Sequence, residues 1–79
     1  YPNPFNPVTQ IEYSLNKFSF VSIEVFDIKG KLIESLFNKN QYPGNYQIMW
    51  DGSRFSSGLY IIQLRSRNQV LSNKVLLIK

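Results

Sequence analysis

The chain has 79 residues, 43% of them apolar and 15% aromatic, with no cysteine, no histidine and a formal net charge of +4. A length of this order gives one domain that buries only ~60–65% of the surface its unfolded form exposes, so little stability is spare for a catalytic cleft. Without Cys there is no disulfide framework or thiolate zinc site, and without His no imidazole base, Ser-His pair or common transition-metal ligand.

The first seven residues, Tyr1-Pro2-Asn3-Pro4-Phe5-Asn6-Pro7, carry three prolines. Proline fixes φ and withholds an amide donor, so this stretch reads as an extended lead-in: a linker end, a polyproline-type ligand or a lid. Its two aromatics, Tyr1 and Phe5, favour the lid. The opening lacks a Met and any basic-then-apolar leader, and it reads as a piece cut from a longer polypeptide.

Beyond Pro7 the period is two. Over 8–15, Ile11, Tyr13 and Leu15 alternate with Gln10, Glu12 and Ser14, as in a half-buried strand. Over 20–27, Val21, Ile23 and Val25 share one face. The segment 31–37 is ambiguous, because Leu32, Ile33, Leu36 and Phe37 fit either a helical turn or a bulged strand. Over 45–50, Tyr46, Ile48 and Trp50 alternate with Gln47 and Met49. Over 59–66, Tyr60, Ile62 and Leu64 share a face, and 70–78 closes the chain as a long apolar strand broken by Ser72, Asn73 and Lys74.

Turn signals punctuate these runs. Asp27-Ile28-Lys29-Gly30 and Tyr42-Pro43-Gly44 are turns, with Gly30 expected at positive φ. Asp51-Gly52 and Ser56-Ser57-Gly58 bracket a loop around Arg54 and Phe55, and Arg67-Asn68-Gln69 reads as a hairpin tip. Short strands with turns every 8–12 residues indicate an all-β sandwich or barrel. The expected core is Ile11, Val21, Ile23, Val25, Ile48, Ile62 and Leu64. No run is long enough to span a bilayer as a helix.

Charge is uneven along the chain. Lys17, Lys29, Lys31 and Lys39 cancel Glu12, Glu24, Asp27 and Glu34, whereas Arg54, Arg65, Arg67, Lys74 and Lys79 face Asp51 alone. A basic final third can meet nucleic acid, anionic lipid or an acidic protein. Lysines and arginines also keep sheet edges soluble and unpaired.

Chemical motifs are thin. Ser14-Leu15-Asn16-Lys17 matches a Ser-x-x-Lys pattern, but that chemistry needs a helical turn to bring Lys beside Ser, and here it falls at a strand end. Asp27 and Asp51 each precede a glycine-containing turn, where a carboxylate accepts backbone amides, and no oxygen cluster suits calcium. Trp50 and Tyr60 offer a sugar-stacking platform if exposed, although a lone Trp ending a strand suits the core better. Arg65, Arg67, Lys74 and Tyr60 could line a groove for single-stranded nucleic acid, without any accompanying fingerprint.

Taken in order, five blocks resemble the C-terminal sorting domain (type A) of cargo proteins of the type IX secretion system. They are the 1–7 opening followed by Ile11, Tyr13 and Leu15; Val21 to Gly30; Gly44, Tyr46, Ile48 and Trp50-Asp51-Gly52; Ser57-Gly58-Leu59-Tyr60; and the Lys74-Val75-Leu76-Leu77-Ile78-Lys79 end. Phe26 departs from the Tyr commoner in that family. The resemblance spans 1–79 as a single sorting domain, and implies an immunoglobulin-like antiparallel β-sandwich of six or seven strands. It further implies a non-catalytic module without cofactors that directs an attached N-terminal cargo through the periplasm to the outer-membrane translocon. A cell-surface sorting peptidase then acts on it, and the cargo reaches the cell surface or medium. Gly30, Gly58, Lys74, Val75, Leu77 and Lys79 are the implied recognition residues. Nucleic acid and stable membrane insertion are not expected. A carbohydrate-binding accessory module or a structural immunoglobulin-like domain of the hook-capping kind is the alternative.

Overall fold

Alternating side chains dictate strands, and strands account for the regular structure of a computed structural model that describes residues 8–67 and 69–78. The lead-in 1–7, Asn68 of the expected hairpin tip and Lys79 lie outside the described residues. Six strands run β1 (Val8–Leu15), β2 (Ser19–Asp27), β3 (Leu32–Gln41), β4 (Gly44–Asp51), β5 (Gly58–Ser66) and β6 (Gln69–Leu77), with no helix among the described residues. All pairings are antiparallel. They form a two-stranded sheet, β1-β4, and a four-stranded sheet ordered β3-β2-β5-β6, which is a β-sandwich.

Register defines two poles. At one, Leu15 pairs with Gly44, Ser19 with Gln41 and Ser66 with Gln69. At the other, Val8 pairs with Asp51, Asp27 with Tyr60 and Gly58 with Leu77. We call these the Lys17 pole and the Trp50 pole. The β2–β3 turn, the β4–β5 loop, the start of β1 and the end of β6 all lie at the Trp50 pole.

The core comprises Ile11, Tyr13 and Leu15 of β1, Val21, Ile23 and Val25 of β2, Trp50, then Tyr60, Ile62 and Leu64 of β5, and Leu77 of β6. Six of the seven expected core residues are buried. Ile48 is the exception, packing on the core while half-buried. It sits on β4, which among the described residues pairs with β1 alone, so no further described strand covers its flank.

The ambiguous 31–37 segment is a bulged strand. Register shifts between Ile23 and Glu24 and between Val25 and Phe26 leave Leu36 and Ile33 as extra residues on β3. A bulge bends its strand and re-aims side chains. Ile33, Leu36 and Phe37, spaced as on a helix, therefore all pack on the core from a strand.

The β2–β3 turn is held by Asp27. Its carbonyl accepts the Gly30 amide at 3.0 Å, and its Oδ1 accepts the amides of Lys29 and Lys31, each at 2.9 Å. Gly30 has φ of 86°, the left-handed region where a side chain is strained, and open space surrounds the position a Cβ would take. The penalty of substitution there is backbone strain alone.

Two expectations follow for chemical denaturation. Ile23→Ala, at a fully buried site, should cost ~3–4 kcal/mol, and Ile48→Ala should fall below that range. Gly30→Val should cost ~1–2 kcal/mol and Gly30→Asn clearly less, since Asn tolerates left-handed backbone. Equal losses at Ile23 and Ile48 would contradict the open flank of β4.

Candidate recognition surface

Among the described residues β6 is an edge strand, with β5 on one side and no neighbour on the other. Such an edge offers unpaired amides and carbonyls to an added strand. Along it Val70, Leu71 and Leu76 are exposed, at 56%, 49% and 64%. Lys74 is exposed between them, paired with Ile61 of β5. Val70, Lys74 and Leu76 share the outward face by strand alternation. An exposed apolar edge strand invites pairing unless a charge guards it, and Lys74 is that charge.

The end of the strand behaves differently. Val75 is half-buried opposite Tyr60, and Leu77, only 2% exposed, pairs with Gly58. Leu77 packs over Gly52: a Cβ built on Gly52 would stand 2.7 Å from Leu77 Cδ1 and 3.2 Å from the Trp50 ring. A side chain here would have to displace the Leu77 methyls from their buried place against the indole. Gly58, Val75 and Leu77 thus lie together at the Trp50 pole, with Gly30 in a separate turn at the same pole and Lys74 on the opposite face of β6.

Trp50 organises that pole. Its ring is fully buried, 5.4 Å from Tyr60 in an edge-on contact and 5.9 Å from Phe55. The indole N–H donates to Glu34 Oε1 at 3.0 Å, across from β4 to β3. Arg54 approaches the other oxygen of Glu34 at 3.7 Å. Tyr60 donates its hydroxyl to the Ser56 carbonyl at 2.6 Å, fixing the loop before β5. Asp51 accepts the Ser53 amide at 3.0 Å, and that bond, aided by Arg54, holds its carboxyl below the usual range. Glu34 and Phe55 were not singled out from sequence as partners of Trp50. The only signal was an acid inside the bulged segment, and its contact is long-range.

The remaining motifs resolve into structure. Ser14 sits on a strand and its hydroxyl donates to Asn45 Oδ1 at 2.7 Å, without a helical turn to present Lys17. Both aspartates hold turns through backbone amides, as expected. Trp50 and Tyr60 are buried, so they form no stacking platform, and Tyr60 lies on the face of β5 opposite that of Arg65. Burial pushes the Tyr13 hydroxyl up in pKa, although its bond to Gln41 opposes the shift. A shallow depression of about 460 Å³ over β1 and β4 contains one charged residue, Glu12. No cluster of three or more potential metal ligands occurs among the described residues.

An edge strand without convergent catalytic groups suits a module that is recognised by a partner. A family model described as the secretion system C-terminal sorting domain matches residues 1–79. The chain belongs to this family. The sorting domain is a C-terminal signal for type IX secretion, attached to a cargo, recognised by the secretion machinery and exported to the cell surface or medium. Its family is a sorting family and not a catalytic one. Neither a curated protein nor a solved structure matches the chain.

The packing of β6 onto Gly52 can be tested by a double-mutant cycle. Gly52→Ala should destabilise the sorting domain by ~1–3 kcal/mol, because the added methyl overpacks a buried site. In a Leu77→Ala background the same change should cost less, giving a favourable coupling of ~0.5 kcal/mol or more. Strict additivity would mean that Leu77 does not close over Gly52.

Proposed function

We propose that the edge of β6 is the part of the sorting domain that the outer-membrane translocon engages. Residues 1–79 act as a single unit, without catalysis or a cofactor, for an N-terminal cargo that arrives through the periplasm. A cell-surface sorting peptidase then acts on the delivered protein. The observation that carries this reading is an edge strand, paired with β5 on one side only among the described residues, that exposes Val70, Leu71 and Leu76 around Lys74 while Leu77 anchors its end in the core. Strand addition supplies affinity through main-chain hydrogen bonds. The charges of Lys74 and Lys79 steer the encounter with an acidic or anionic surface.

Within this reading the six recognition residues divide by role. Lys74 and Lys79 present charge. Val75, Leu77 and Gly58 set the position of the strand that presents it, and Gly30 keeps the neighbouring turn in shape.

A reporter fused to residues 1–79 should be exported in a host with a working type IX system. Removal of residues 70–79 should leave the reporter in the periplasm, as should any variant that unfolds the domain. Lys74→Glu with Lys79→Glu separates recognition from folding, since Lys74 is exposed. That pair should preserve the melting temperature and weaken capture more at low salt than at high, because screening shortens the reach of charge to ~10 Å at 0.1 M. Efficient export without residues 70–79 would place the handle elsewhere.

A further inference from the structure

Folding redistributes the net charge that the sequence carries in its last third. At the Lys17 pole stand four exposed cations: Lys17 after β1, Lys39 opposite Val21, Arg65 opposite Ser22, and Arg67 after β5. None is in an ion pair among the described residues, where the one pair is Arg54 with Glu34. The nearest carboxylates, Glu12 and Glu24, lie further along their strands, opposite Gln47 and Gln63. The Trp50 pole is closer to balance, with Lys29, Lys31, Arg54 and Lys74 near Asp27, Glu34 and Asp51. The surplus of positive charge is therefore polar in space.

Two further features mark the same pole. A cavity of about 130 Å³ is lined by Leu15, Asn16, Lys17, Ser19, Ser66, Arg67 and Gln69. It has two cations and no acid in its wall. The Ser19 hydroxyl is committed to the Lys17 carbonyl at 2.8 Å, which fixes the turn that carries Lys17. Beside it, Phe18 and Tyr42 are exposed and meet with ring centroids 5.0 Å apart. Those rings form a single apolar knob rather than separate anchors.

We infer that the Lys17 pole is a second docking surface of the sorting domain, taking an acidic segment of a partner protein with one carboxylate in the Lys17–Arg67 cavity. The cavity has room for one such group, and Asn16, Ser66 and Gln69 add neutral hydrogen-bonding groups around the cations. Arg65, on the outer face of β5 two residues before Arg67, receives a neighbouring acid of the segment, and the Phe18–Tyr42 knob supplies aromatic contact of the kind that dominates interface energetics. A protein is favoured over an anionic membrane because the cations surround a cavity with directional partners, and a lipid surface needs no such enclosure. The inference rests on the proposed engagement by secretion machinery and adds a site to it.

The test uses the 79-residue chain and a deca-glutamate peptide in about 0.1 M salt. Lys17→Glu with Arg67→Glu should weaken peptide binding at least about tenfold. Lys29→Glu with Lys31→Glu makes the same change in net charge at the Trp50 pole, and it should weaken binding less than about threefold. The eight-residue strands between the poles span ~26 Å, well beyond the ~10 Å screening length. Equal losses in the two variants would show attraction by net charge alone and overturn the site. Capture on phosphatidylglycerol vesicles without peptide binding would overturn it in favour of a membrane. In export, Lys17→Glu with Arg67→Glu should slow delivery of the reporter at an unchanged melting temperature. Normal delivery of that variant would overturn the second surface and leave the sorting role of β6 intact. A wild-type fusion that is not delivered would instead overturn the β6 reading, while the peptide result would still decide whether the pole binds acids.

Discussion

A buried indole nitrogen must find an acceptor, and in this domain meeting that requirement ties the two sheets together. Trp50 ends β4 in the two-stranded sheet, and its N–H reaches Glu34 on the edge strand of the four-stranded sheet. A buried N–H left unsatisfied costs ~1–3 kcal/mol, a large share of what a domain of this size has to spend. The bulges in β3 suit this bond, because they shift register on either side of Glu34 while Ile33, Leu36 and Phe37 still pack on the core. The same indole underlies Gly52 and, through it, Leu77. The acceptor, the bulged strand and the end of the chain's last strand are consequences of one side chain.

The sandwich is unequal, and the inequality explains its surface. Two strands cannot cover four. Leu71 pairs with Leu64, yet Leu64 is buried and Leu71 is about half-exposed, because among the described residues cover runs out at β6. The same shortage leaves Ile48 open on β4. An ordinary globular domain would cover such an edge or blunt it with charge along its length. Here one lysine interrupts it, while Leu77 holds the far end of the strand in the core. A strand held at one end and open along its side can accept a partner without being pulled out of the fold.

Much of this was legible in sequence because a strand's period of two reports its buried face directly. β1, β2 and β5 alternate without interruption, and their core residues follow at once. The segment 31–37 did not yield to the same rule, since each bulge adds a residue and breaks the period. Turn chemistry was legible at Asp27 and Asp51, whose carboxylates act within four residues of their own position. Glu34 under Trp50 was not, since no local pattern marks a contact sixteen residues away between two sheets. The charge of the last third was read correctly along the chain but not in space. Antiparallel pairing brings Lys17, from the neutral half, beside Arg67 from the basic one, and puts Lys39 and Arg65 at the same end of the sheet.

The placement of the chain ends gives the two poles different tasks. β1 begins opposite Asp51 and β6 ends opposite Gly58, so the chain enters the described structure and leaves it at the Trp50 pole. The packed aromatics and the close contact of Gly52 with Leu77 make this the densely packed end. The Lys17 pole is one strand length away. β6 joins the two, beginning beside the cationic cavity with exposed Val70 and Leu71 and ending in the core at Leu77. A partner that met the cations first would find the open edge starting at the same place, so charge would set the encounter and strand pairing would follow along β6 toward the anchored end.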